Sequence, residues 1–483
     1  MNDSKKDQQE NQIMEVFRDN LNLISPSFCV AKWKQVTVHL DTGRTHSCHH
    51  PTTHKIPVEE ILNNPTALHN TEYKKQQRKL MIEGKRPAEC DYCWRVEDSI
   101  KLNSTVSFSD RITKSIDNWA REFIPEIKEH GWNYDPVPSS MEVNFGSTCN
   151  FKCSYCNPEI SSKWMEEVKQ YGGFKLPQGE YNSIGWLEQT DRVPIPHREH
   201  NPYIDAFWEW WPTLIKELKI FRITGGEPLL NKNTFAVLDF LIENPHPELS
   251  LSINSNLCVP QKILQEFIKT MNVIQSNKCI KDFKIYTSCE AHKERAEYIR
   301  HGLNYQQWLD NCESIIRDIP ESKLTVMATY NLLSITSFKD MLEDLLVLKN
   351  KYTIQPTRPH TVSIDIPYIR YPEFMTIWTM PPEWLKYIEE TVTWMYKNLQ
   401  QTYWQPLCGV GFFDYEIKRM ERVYFVCKDA LNDPTKQTEI MNNRQNFVAF
   451  VDEHDRRRGT NFLKTFPEME EFYNECKRKI KTN

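Results

Sequence analysis

The clearest pattern in the chain begins at Met141. From there, short apolar, β-branched runs alternate with stretches whose apolar positions recur every three or four residues. The runs predict strands over 141–145, 219–224, 249–254, 283–288, 324–330 and 361–366. The helical periodicity predicts helices over 161–170, 233–242, 261–271, 305–317, 337–348 and 382–399. Strand-then-helix repetition implies parallel strands joined by right-handed crossovers. Six such units suit a curved, partial (β/α)6 barrel over 139–400 rather than a closed eightfold one. Ligands of such α/β sheets collect at the carboxyl ends of the strands.

Different patterns flank this region. Residues 1–27 form a polar leader with a short helix over 13–21. Residues 28–97 form a small cysteine-rich domain. Within it, Val36, Val38 and Leu40 alternate with Gln35, Thr37 and His39, and Asp41-Thr42-Gly43 turns the chain back over 44–48. That reads as a hairpin. Asn70 or Thr71 can cap a helix that Gly84 stops. A bridging segment over 98–138 carries a helix over 118–130. The barrel region holds an insert over 171–212, rich in Pro, Gly and Trp and ending in Phe207-Trp208-Glu209-Trp210-Trp211. Its aromatic end is expected to form a docking helix in preference to a substrate lid. Residues 401–483 form a helical C-terminal extension, with helices over 416–423 and 467–479.

Composition narrows the class of function. The 483 residues carry a formal net charge of −5, which gives no whole-chain attraction for nucleic acid or an anionic membrane. Arg456-Arg457-Arg458 lies beside Asp452, Glu453 and Asp455 and reads as a solvated, self-compensated face. No apolar run is long enough to span a bilayer and no targeting segment is evident, so the expected compartment is the cytoplasm. The 14 cysteines then point to metal or redox chemistry before disulfides.

Three of them fall in eight residues: Cys149-Asn150-Phe151-Lys152-Cys153-Ser154-Tyr155-Cys156. A structural zinc site wants four protein ligands, and no fourth lies nearby in sequence. Three thiolates on a cubane iron–sulfur cluster leave one iron open to an outside ligand. Cys-x3-Cys-x-aromatic-Cys in this position resembles the radical S-adenosylmethionine (SAM) superfamily. The resemblance implies a 4Fe-4S cluster on Cys149, Cys153 and Cys156 as the catalytic centre. SAM would chelate the open iron. Reductive cleavage would release a 5′-deoxyadenosyl radical that abstracts hydrogen from substrate. It also implies SAM-binding roles for Tyr155, for Gly225, Gly226 and Glu227 of Thr224-Gly-Gly-Glu-Pro228, for Asn254 and Asn256 of Asn254-Ser-Asn256, and for Ser288 and Arg300. Glu227 would hold the SAM amine. An electron donor such as a flavodoxin or ferredoxin is implied as a partner.

A second set precedes the barrel: Cys29 and Cys48 flank the hairpin, and Cys90-Asp-Tyr-Cys93 makes a two-residue-spaced pair. Four thiols complete a closed site. The layout resembles the twitch (SPASM-like) auxiliary-cluster domain of radical SAM enzymes, placed before the barrel instead of after it. The rival is zinc, favoured by His39, His46, His49, His50 and His54, although these histidines read better as solvent-facing hairpin residues. Cys258, Cys279, Cys289, Cys312, Cys408, Cys427 and Cys476 are dispersed and read as buried small hydrophobes. The expected function is radical SAM modification or oxidation of a peptide or protein. The alternatives are oxidation of an aminosugar-like metabolite and, from another class, a non-catalytic zinc-stabilised binding protein.

Overall fold

A computed structural model describes residues 3–103, 108–353, 361–399 and 411–481; the Cys408 segment lies outside the described residues. The chain is a mixed α/β protein with a large parallel sheet. Its strands are β1 (Gln35–His39), β2 (Arg44–His46), β3 (His54–Lys55), β4 (Ser140–Asn144), β5 (Lys152–Cys153), β6 (Phe174–Leu176), β7 (Gly179–Tyr181), β8 (Ile220–Thr224), β9 (His246–Asn254), β10 (Ile280–Thr287), β11 (Arg300–His301), β12 (Lys323–Met327) and β13 (Val362–Asp365). The residues divide into two compact units. The first holds Met1–Gly146, Pro194–Gly225 and His246–Ser252; the second holds Ser147–Val193, Gly226–Pro245 and Ile253–Asn483.

In the first unit, β1 and β2 form the expected hairpin around Gly43, whose φ is +60°. β1 also pairs in parallel with β4 (Val36↔Met141, Val38↔Val143), and β4 pairs with β8 (Val143↔Ile223). Strand alternation buries Val36, Val38, Met141, Val143, Phe221 and Ile223. The aromatic end of the insert forms the helix Pro202–Leu214. Trp211 packs on Phe221 at 5.1 Å and Phe207 meets Phe145 edge-on at 5.0 Å. That is the docking helix expected from its composition. A side chain at Gly43 would strike the Tyr203 ring of this helix, so the turn and the helix constrain each other.

The capped helix of this unit forms as read, while the leader helix expected over 13–21 runs over Asp3–Asn22. Thr71 Oγ1 accepts from Lys74 N at 3.1 Å to start the helix Glu72–Ile82, and Gly84 at φ +74° ends it. The single helix expected over 118–130 is two, Asn118–Arg121 and Ile124–His130. Pro125 lacks an N–H and clashes with a preceding turn, so it is tolerated only near the start of a new helix. The histidines depart from expectation. His46 is buried, with Nδ1 bonded to the Cys48 carbonyl, and His39 Nε2 lies 3.4 Å from His46 Nε2. His50 bonds Asp110 and stacks on Tyr92; His54 bonds Thr71. Only His49 is an exposed residue. The apolar periodicity of the hairpin placed its strands but did not show what would cover its polar face.

In the second unit, β10, β12 and β13 run parallel (Ile285↔Leu324, Val326↔Ile364). The helices Lys232–Glu243, Gln261–Ser276, Tyr305–Asp318 and Phe338–Thr353 come between the strands. The C-terminal extension holds the helices Asp414–Asn432, Gln437–Arg458 and Glu470–Lys481. The middle helix was not anticipated: its buried positions are sparse among charged and amide side chains. Its last turn corrects the reading of the arginine run. Arg456 is exposed and paired with Glu453, but the Arg457 and Arg458 side chains are 2 % and 0 % exposed. Arg457 lies over Phe174 at 3.9 Å, and Arg458 lies over Trp164 and pairs with Glu167. Guanidinium planes stack on aromatic faces readily, so charge density alone misjudged this turn.

Candidate functional site

Cys149, Cys153 and Cys156 sit on a loop of the second unit whose backbone is tied at nearly every residue. Cys149 N donates to Ser162 Oγ at 3.1 Å, and Ser162 Oγ returns a bond to Cys149 O at 3.2 Å. Lys152–Cys153 form β5 and pair antiparallel with β11, setting Arg300 opposite Cys153. Ser154 N donates to Ile299 O at 2.7 Å. Trp164 Nε1 donates to Cys153 O at 2.8 Å. Tyr181 Oη and Asn182 Nδ2 both donate to Cys156 O, at 2.7 and 2.9 Å. These bonds occupy the backbone, while the sulfurs make long contacts of 3.4–3.8 Å, with Phe151 N, Arg300 Nη1 and Asn157 O. None of the three thiols is in a disulfide. Burial pushes the Cys149 thiol up to about 12, with Cys153 adding to the shift, and burial raises Cys153 and Cys156 as well. Thiols packed together away from water resist ionisation until a cation neutralises them.

The resemblance-derived residues fall around this loop. Glu227 is 1 % exposed. Its carboxylate accepts from Ser255 Oγ at 2.7 Å, Asn256 N at 2.6 Å and Leu229 N at 3.0 Å. Three of roughly four acceptor positions are thus occupied. Burial raises its pKa to about 7, against the opposing pull of those donors. Glu227 N donates to Thr148 O at 2.7 Å, and a Cβ on Gly226 would lie 2.4 Å from that same carbonyl oxygen. Only glycine allows that approach. In the first unit, Gly225 has φ +127° and faces Asn144 Oδ1. Asn256 Nδ2 donates to Asn150 Oδ1 at 2.7 Å, joining the end of β9 to the cysteine loop. Asn254 ends β9, and Ser288 follows β10, half-buried. Arg300 is buried and fully engaged. It meets Glu290 through Nε (3.1 and 2.9 Å) and Nη2 (2.7 Å), bonds Tyr155 Oη, and points Nη1 at Cys153 Sγ at 3.7 Å. Tyr155 also bonds Glu290 at 3.1 Å. The structure therefore ties Tyr155 and Arg300 to each other and to Glu290.

The four N-terminal cysteines converge in the first unit. Cys29, Cys48, Cys90 and Cys93 line one cavity of about 20 Å³, together with Lys32 and Arg111. Burial raises Cys29, and raises Cys90 and Cys93 to about 12; Cys48 adds to all three shifts, and Cys29 adds to those of Cys90 and Cys93. Lys32 is buried in an ion pair with Glu89, and Arg111 pairs with Glu97 at 2.8 Å. Burial holds His46 near pKa 4 and His54 near 3, so both are neutral at pH 7.

Among the described residues, no group of three or more His, Cys, Asp or Glu side chains is drawn into metal-holding geometry. The donor chemistry nonetheless suits a thiophilic centre in both places. Soft thiolates select zinc or iron–sulfur clusters, and each set is half-buried or buried and free of disulfides.

No protein-family model and no curated protein sequence matches the chain. Among solved structures it is similar to Streptococcus suis SuiB, with 14 % identity over 77 % of this chain and 69 % of that one, at a TM-score of 0.32. SuiB bound to S-adenosylmethionine aligns over 74 % and 69 % with the same identity and TM-score. SuiB bound to the precursor peptide SuiA aligns over 75 % and 69 %, with 14 % identity and a TM-score of 0.31. At these scores the functional reading rests on the site itself. Among the described residues no helix is long and apolar enough to cross a membrane.

Sequence reasoning missed three residues that build the site. Glu290 anchors Arg300, yet in sequence it is one acid after a strand. Glu167 receives Arg458 and Lys152 Nζ, the latter at 2.5 Å. Arg458 Nη1 donates to Lys152 O at 2.8 Å, so a residue about 300 positions on in the chain helps hold the loop backbone. None carries a local signal. The dispersed cysteines 258, 279, 289, 312, 427 and 476 are all buried, as expected.

Proposed function

We propose that this chain is a radical SAM enzyme built on a partial (β/α)6 barrel. The observation that carries the reading is the three-cysteine loop: its backbone is saturated with hydrogen bonds, and its three thiols form a soft, incomplete ligand set. When bound there, a 4Fe-4S cluster with SAM would supply reductive cleavage to a 5′-deoxyadenosyl radical. The protein's own part is positional. Cys149, Cys153 and Cys156 hold the metal centre. Arg300 donates toward Cys153 Sγ, and hydrogen bonds to cluster sulfurs help set reduction potential. Glu227, with one acceptor position open, and the half-buried amides Asn254 and Asn256 suit the amine and ribose of SAM, and Gly226 keeps the backbone close. Tyr155 and Ser288 complete the proposed contacts.

The proposal extends to the remaining regions. Residues 28–97 hold an auxiliary iron–sulfur centre on Cys29, Cys48, Cys90 and Cys93, with zinc as the rival occupant. Residues 98–138 bridge to the barrel at 139–400, and residues 401–483 support it. The substrate is a peptide or protein. Supporting this, a cleft of about 460 Å³ next to Cys156 is lined by Asn157, Glu159, Asn182, Trp186 and Tyr371. Trp186 and Tyr371 are exposed aromatics, the kind of surface that anchors chains at interfaces. An electron donor of the flavodoxin or ferredoxin class and a cytoplasmic setting complete the reading.

The test is anaerobic reconstitution followed by a strong reductant and SAM. Release of 5′-deoxyadenosine by the native chain and none by Cys153→Ala is the expected result. A reduced paramagnetic resonance spectrum unmoved by SAM would sink the reading.

A further inference from the structure

The four-cysteine cavity lies in an unusual electrostatic setting. Lys32, Arg111 and Lys114 line it. Each has a carboxylate: Glu89, Glu97 and Asp110 respectively. Two further basic side chains are held on the backbone of residues 32–35, next to the cavity-lining Lys32. Lys74 is 0 % exposed, and its ammonium donates to His69 Nδ1 at 2.7 Å and to Gln35 O at 3.4 Å. Arg78 is also 0 % exposed, and it bonds Asn70 Oδ1, Lys32 O and His69. Its Nη1 has no hydrogen-bond partner among the described residues. Neither side chain makes an ion pair among the described residues. Burying an unpaired charge is among the costliest arrangements a protein can hold. Burial holds Lys74 well below its ordinary value, and Glu89 and Cys48 pull it back up, whereas the acidic groups that act on Arg78 are Tyr134 and Asp135.

We infer that the cavity is built for a dianionic tetrathiolate centre, and that Lys74 is a buried counter-ion to it. This rests on the reading that Cys29, Cys48, Cys90 and Cys93 together hold a metal. Four thiolates around Zn²⁺ carry two net negative charges, and so do four thiolates around an oxidised 4Fe-4S cluster. Either centre supplies negative charge that no ion pair supplies to Lys74. Lys74 is therefore a positioning residue. It sets the charge that the site accepts and helps to retain the centre without touching it.

The charge argument predicts opposite effects of one substitution in two states of the full-length protein. In metal-free protein, Lys74→Met removes an uncompensated buried charge, so its melting temperature should rise above that of the native chain. In metal-loaded protein the same change removes a counter-ion, and loss of metal to a chelator should become about tenfold faster, the lower end of what outer-shell changes cost. The paired variant Lys32→Met with Glu89→Gln removes a matched charge pair and should hold metal within about twofold of native, since such pairs are near neutral. Should Lys74→Met fail to fold without metal, Lys74→Gln is carried through both measurements. A fall in melting temperature in both states, or unchanged metal retention, overturns the counter-ion assignment. The metal reading is checked separately: Cys90→Ala with Cys93→Ala must lower iron plus zinc per chain. If that count does not change, the reading itself fails; if it falls while the Lys74 results fail, only the inference does.

Discussion

The two cysteine groups pose opposite charge problems. Around the three-cysteine loop, Arg300 has Glu290 as its carboxylate, and Arg458 and Lys152 share Glu167. Near the four-cysteine cavity, the buried Lys74 makes no ion pair among the described residues. The difference fits what each place is proposed to hold. Three thiolates on a cubane give a small negative charge, which a net-cationic sulfonium nucleotide can offset. Four thiolates on a closed centre give a dianion with nothing further to bind, so the protein must supply the offset. The lesson is that the ionisable side chains around buried thiols report what is meant to sit among them.

The largest effect that could break this contrast is chemical. Cys153→Ala should abolish 5′-deoxyadenosine formation while leaving the metal of the four-cysteine cavity in place. Total metal loss in this variant would show the two groups to be one system. Next is the Glu290–Arg300 pair, whose side chains are 0 % and 7 % exposed. Glu290→Gln strands a buried guanidinium and should destabilise the fold by about 3–5 kcal/mol in denaturant titration. A loss under one kcal/mol, on the order of a surface pair, would mean that water reaches the site and that the balance there is unimportant.

Glu227 gives a pH signature of intermediate size. Its folded pKa of about 7 exceeds its ordinary 4.5, so the folded state binds the proton more tightly. The stability tied to that proton is fully present below pH 4.5 and is lost as pH rises through 7. Relative to Glu227→Gln, the native chain should lose about 1–3 kcal/mol between pH 4.5 and pH 8. Parallel stability curves for the two proteins would show that the carboxylate is not held in the way described. The smallest effect expected is at Arg458. Arg458→Met removes the bond to Lys152 O and the ion pair with Glu167, and should cost about 1.5–3 kcal/mol. Arg458→Lys should recover only part of it, because an ammonium cannot make the forked, stacked contact.

The sequence by itself determined the strand and helix alternation from Met141, the hairpin about Gly43, the capped helix ending at Gly84 and the docking helix at the end of the insert. These follow from local rules: side-chain period, turn conformation and capping are written in neighbouring residues. The three-cysteine loop was legible for the same reason, since Cys149, Cys153 and Cys156 lie within eight residues. Only the tertiary structure decided the rest. It paired β1 with β4, buried His46, folded Arg457 and Arg458 inward and gathered Cys29, Cys48, Cys90 and Cys93 around one cavity with Lys74 near it. It also assigned Glu290 to Arg300 and brought Arg458 to Lys152. Burial and charge pairing depend on which distant segments meet, and a charged side chain carries no mark of its partner until the chain has folded around it.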